Sequence, residues 1–111
     1  MPEDGPKKRN IAFERLISGI SKDDVRIAVI GTVVSVDNDS LIFTIDDNTG
    51  SLTILAPNND FFSKVKEGSM VRVIGLVLPH DNGFELRGEL IQDFSDLDKG
   101  LLPIIQEIIR K

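Results

Sequence analysis

The chain has 111 residues, 41% of them apolar and 28% charged, with a net charge of −5 and no cysteine. That length suits one domain with a modest core of its own, and the missing thiols exclude a disulfide framework, a thiolate nucleophile and a Cys-ligated metal. No apolar run is long enough to span a bilayer and the opening MPEDGPKKRN lacks a signal peptide's apolar stretch, so an intracellular protein is expected.

Residues 1–10 carry two prolines, a glycine and the run Lys7-Lys8-Arg9, and read as a flexible basic tail. Residues 11–20 leave two states open. Phe13, Leu16, Ile17 and Ile20 recur at helical spacing, whereas Ile11, Phe13 and Ile17 also fit a strand broken at Arg15. In either state these apolar side chains are expected to pack onto the domain. Residues 25–36, VRIAVIGTVVSV, form a long β-branched strand with Gly31 at its middle, where a missing side chain permits a bend or bulge. A strand bent there pairs with one neighbour before the bend and another after it. Asp37-Asn38-Asp39 then turns the chain.

Residues 41–55, LIFTIDDNTGSLTIL, predict a β-hairpin: two apolar runs flank Asp46, Asp47, Asn48, Thr49 and Gly50, residue types suited to a tight turn. Asn58 or Asn59 then caps a short helix that turns Phe61, Phe62 and Val65 inward and stops before Gly68. MVRVIGLVL at 70–78 is a further strand with a central glycine, Gly75. Residues 79–83 make a turn through Asn82-Gly83, and 84–94 supply the last strand, with a bulge at Gly88. Beyond it Leu97, Leu101, Leu102, Ile104, Ile105, Ile108 and Ile109 recur at helical spacing, with Pro103 suited to a first turn.

Five strands, two of them with mid-strand glycines, and a helix between the third and fourth predict an all-β fold with a C-terminal helix. Its form is a five-stranded OB-fold barrel. The expected division is the tail at 1–10, the barrel at 11–95 and a helix at 96–111. Six of the nine residues at 101–109 are Leu or Ile, a wider apolar face than one-sided docking on a closed barrel requires. That face is therefore expected to meet another chain rather than fold back.

The strand VRIAVIGTVVSV, the hairpin IDDNTGSLTI, the phrase VKEGSMVRVIGLV and the ending IQDFSDL before an apolar helix resemble the middle and small subunits of replication protein A. These are single OB-folds of a heterotrimeric single-stranded DNA-binding complex, and telomere-capping small subunits resemble the same set. The likeness covers roughly residues 11–111. It implies a non-enzymatic subunit that joins other OB-fold subunits through residues 97–109, nucleoid-associated if archaeal and nuclear if eukaryotic. Relatives that grip single-stranded DNA carry aromatic rings just after the third strand and in the last inter-strand loop. Here those places fall at Pro57 and His80, which implies auxiliary contact only.

Composition agrees. Phosphate binding is driven by Lys and Arg releasing counterions, and this chain is acidic. Its aromatic residues are six Phe, with neither Trp nor Tyr to offer for stacking. The candidates for nucleic-acid contact are Arg26, Lys64, Lys66, Arg72, His80 and Arg87, on or beside strands, with Arg26 and Arg72 pointed outward by alternation. Phe43 is assigned to the core. Asp46 and Asp47 fit turn-capping better than metal or acid–base work, since one histidine and no thiol offer no further ligand set. No catalytic residue, metal or cofactor is expected.

Overall fold

The computed structural model describes residues 12–95 and 102–110. The basic tail, Ile11, Leu97 and Leu101 lie outside the described residues. Six strands and two α-helices follow one another: β1 Phe13–Glu14, β2 Arg26–Asp37, β3 Ile42–Asp46, β4 Ser51–Leu55, α1 Asn59–Phe62, β5 Met70–His80, β6 Gly83–Asp93 and α2 Leu102–Arg110, with a 3₁₀ turn at Ile17–Gly19. The sheet runs β1-β2-β3-β4-β6-β5 and closes through β2–β5, so β2 to β6 form a five-stranded barrel and β1 adds an outer strand.

Closure depends on β2 serving two neighbours, as expected of a strand bent near its middle. It pairs antiparallel with β5 from Arg26 to Thr32 and with β3 from Thr32 to Asp37. The irregularity lies between Val33 and Ser35, two residues beyond the expected Gly31. Gly31 matters through proximity instead: a Cβ there would sit 3.0 Å from the Asp46 carbonyl oxygen. The opposite wall is a parallel β4–β6 contact, Thr53 to Leu55 against Glu85 to Arg87.

Strand alternation fills the barrel. Ile27, Val29 and Val33 of β2, Phe43 and Ile45 of β3, Leu52 and Ile54 of β4, Val71 and Val73 of β5 and Leu86 and Ile91 of β6 make one buried cluster. One end is filled by α1, whose Phe61 ring stands 6.2 Å from that of Phe43. Asn58, in extended conformation, is the cap, its side-chain oxygen accepting from Phe61 N at 2.9 Å. Gly88 leaves the room the Phe61 ring needs, since a Cβ on it would lie 2.6 Å from Cζ.

Three local expectations change. Residues 12–20 are neither one α-helix nor one strand but a two-residue strand and a 3₁₀ turn: Leu16 and Ile17 are buried, but Phe13 is 57% exposed. Two residues of β1 offer it no inner layer, and the Arg15 guanidinium covers its ring at 5.5 Å. β5 continues through Pro79 and His80, and the turn tip is Asp81-Asn82, with Asp81 at φ 52° and Gly83 opening β6. Lastly, α2 lies on its own barrel. Ile105 packs with Phe94 over Ile30 and Met70 on the outer face of β2 and β5, and Gln106 Nε2 donates to the Asp47 carbonyl at 2.6 Å.

Candidate nucleic-acid interface

The hairpin between β3 and β4 is scaffold. Asp46 accepts from Asn48 N at 2.8 Å and Ser51 Oγ at 2.9 Å. Asp47 is 1% exposed. Its carboxylate accepts from Ile17 N at 2.9 Å, Thr49 N at 2.9 Å and Thr49 Oγ1 at 2.6 Å. With Ser18 N donating to Thr49 Oγ1 at 3.1 Å, these bonds tie the turn to residues 17–18. Both carboxylates hold the turn, the role expected of them. Among the described residues no group of three or more His, Cys, Asp or Glu could hold a metal, and no helix is long and apolar enough to cross a membrane.

The surface open to a ligand is the outer face of β3, β4 and β6 and its continuation around the barrel. Cross-strand partners fall into rows on that face. One row runs Asp37, Ile42, Leu55, Arg87, Leu76, Arg26; the next runs Ser35, Thr44, Thr53, Glu85, Leu78. The first row mixes three aliphatic with three charged side chains, hydroxyls dominate the second, and neither contains an aromatic ring. Phe43 and Phe61 are buried, and Phe62 and Phe84 pack against the core. Pro57 and His80 stand exposed beside this face.

The six predicted contact residues divide into two groups. Arg26 forks onto Glu89, Nε to Oε1 at 2.7 Å and Nη2 to Oε2 at 3.0 Å. Glu89's hydrogen bonds raise the Arg26 pKa above its ordinary value, and Arg26 holds Glu89 below the usual carboxylate range against the opposing effect of partial burial. Arg72 donates to Glu14 and, through Nη1 at 2.7 Å, to the Gln92 side chain. His80 stands 3.6 Å from Glu85 and 3.4 Å from Asp81. Lys64, Lys66 and Arg87 are exposed.

Arg26, Arg87 and Lys64 lie towards one region. Lys64 and Glu89 share a shallow groove of about 180 Å³ with Pro57, Asn58, Asp60, Phe61, Leu90 and Ile91. Arg72 and His80 lie apart from it. The carboxylate partners escaped the sequence reading because nothing local marks them: Glu89 is 63 residues from Arg26, and Glu14 is 58 from Arg72. Of the predicted interface residues on α2, Ile105 and Ile109 are half-buried, whereas Ile104 and Ile108 remain 57% and 68% exposed. Leu102 opens the helix.

A closed five-stranded barrel plugged by a short helix, with an open polar-aliphatic outer face, is the architecture of small nucleic-acid-binding barrels. The chain belongs to the OB-fold nucleic acid binding domain family, which matches it over residues 25–93, well over half its length. No curated protein matches it significantly in sequence. Its fold is similar to that of replication protein A from U. maydis, solved bound to single-stranded DNA, with a TM-score of 0.66, 18% identity, and coverage of 89% of this chain and 86% of that one. It is also similar to the telomere capping protein Ten1 from Saccharomyces pombe, with a TM-score of 0.65, 18% identity, and coverage of 90% and 95%. The second OB-fold domain of replication protein A from Methanococcus maripaludis aligns with a TM-score of 0.58 and 21% identity over 73% of this chain and 94% of that domain.

Proposed function

We propose that this protein is a non-enzymatic subunit of a multi-subunit, OB-fold, single-stranded DNA-binding complex of the replication protein A kind. Its main task is assembly through α2, and its barrel adds a weak contact to DNA. The observation that carries the reading is the pair Ile104 and Ile108. Both stay exposed on a helix whose other apolar side already lies on the barrel. Apolar side chains one helical turn apart suit packing against a second helix, and such a seam explains their cost in water.

The weak DNA contact follows from the outer face. Base stacking supplies much of the grip on single strands; the two rows of this face carry no aromatic ring, and His80 beside them offers only an imidazole. Two of the three predicted contact arginines, Arg26 and Arg72, already donate to carboxylates. A small-subunit role of the Ten1 kind is the second reading within the same class, favoured by the match to 95% of that protein's length.

Two measurements test the proposal. The isolated chain should bind a labelled oligo-dT with a Kd weaker than about 10 µM at physiological salt, in the range of non-specific contact. Tight binding with a steep salt slope would mark a stand-alone binder instead. Co-expressed with larger OB-fold partners, the wild type should co-purify, and an Ile104→Asp, Ile108→Asp double variant should not. Retention of the double variant would remove α2 from the interface.

A further inference from the structure

Arg26 and Arg87 come from separate strands and Lys64 follows α1, yet all three lie towards Glu89. Arg26 holds both carboxylate oxygens. Arg87 acts on the same carboxylate through space. Lys64 shares with it the groove beside α1.

Glu89 reaches this position through a bulge. β6 pairs Gly88 with Gly75 and Leu90 with Ile74, which leaves Glu89 without a cross-strand partner and turned outward. Two carboxylate oxygens in a guanidinium fork offer the same acceptor pair as the non-bridging oxygens of a phosphodiester.

We propose that Arg26, Arg87 and Lys64 form a phosphate site that Glu89 fills from within, so that a single-stranded nucleic-acid backbone engages the barrel by displacing Glu89. This rests on the reading that the barrel contacts single-stranded DNA, and it names the residue that keeps that contact weak. The exchange does not require the barrel to open, because the Arg26 and Glu89 side chains are 27% and 35% exposed. Ion pairs at that level of solvation are weak enough for a polyanion to compete with them. Asp60 of α1 lines the same groove and opposes the ligand in the same direction.

The test is a double-mutant cycle of Arg26→Ala and Glu89→Gln, read by titration of labelled oligo-dT against salt. Glu89→Gln should tighten binding at low salt by about fivefold and steepen the salt slope by about 0.7, the value for one additional phosphate contact on a single strand. In the Arg26→Ala, Glu89→Gln double variant, which has the wild-type net charge, that gain should vanish. Asp23→Asn, which removes one negative charge elsewhere, should not reproduce it. A gain that survives in the double variant would take Arg26 out of the site, and one matched by Asp23→Asn would make the effect a matter of net charge; either result would overturn the proposal. So would an unchanged salt slope in Glu89→Gln while the wild type binds. Failure of the wild type to bind at low salt would instead remove the DNA-contact reading, and this site with it. Melting curves of the four variants confirm that the barrel is intact.

Discussion

Asp47 is a carboxylate with almost no exposure, and what surrounds it is backbone and a hydroxyl rather than a cation. A carboxylate can be buried without an ion pair when hydrogen-bond donors surround it, and here three converge on it. Asp47→Ala should therefore cost about 2–4 kcal/mol in urea unfolding, because the Ile17 and Thr49 amides lose a charged acceptor in a buried place. Asp46, the half-buried member of the pair, should cost far less.

Gly75 makes the opposite demand: a Cβ there would stand 2.2 Å from the Arg87 carbonyl oxygen, which is backbone and has nowhere to go. Gly75→Ala should destabilise by at least the 1–3 kcal/mol roughly typical of overpacking. Gly19→Ala, where nothing lies within 4 Å, provides a control that should be near neutral. Equal unfolding midpoints for the two alanine variants would contradict the packing at the β5–β6 bulge.

At the scale of elements, α2 is the informative piece. A nine-residue helix is marginal in water by itself, so whatever order it has comes from docking. Ile105 and Gln106 make that docking, while Ile104 and Ile108 do not take part. Ile105→Ser should accelerate amide exchange in residues 102–110 by at least about tenfold. Ile104→Ser should leave exchange in the isolated chain close to wild type. Equal exchange in both variants would mean that the helix is not held by this face. The apolar arc is thus divided, half on the barrel and half in water, and a partner helix that used the whole arc would have to lift α2 from the barrel first.

At the scale of the molecule, the surface is largely self-neutralised. The chain is acidic by five charges, and Arg15, Arg26 and Arg72 each pair with a carboxylate. The pH dependence follows from the sign of the Glu89 shift. Arg26 holds the folded-state pKa of Glu89 below its unfolded value, so the pair stabilises the barrel above the ordinary carboxylate range. That contribution is lost as pH falls through the folded pKa. The melting temperatures of wild type and Glu89→Gln should differ at neutral pH and converge once the pH drops below the carboxylate range. A gap that persisted in acid would assign the stabilisation to packing rather than charge. The same pairing leaves few cations for phosphate, so binding should weaken only modestly as salt rises.

The order of the barrel strands and plug helix along the chain, the hairpin at residues 41–55, a helix cap at Asn58 or Asn59 and the buried place of Phe43 were legible in the sequence. Each is written locally: alternation assigns a strand's two faces, and Asp, Asn and Gly mark where it turns. Hence the barrel could be read before any coordinates, and Phe43 could be placed inside it. What only the tertiary structure decided is which charges meet and where α2 lies. Arg26 with Glu89, Arg72 with Glu14 and Gln106 with the Asp47 carbonyl are contacts across 58 to 63 residues of chain. No pattern of period two or 3.6 encodes them. They arise because a closed barrel brings distant strands side by side, and that closure joins the cations to the acids that occupy them.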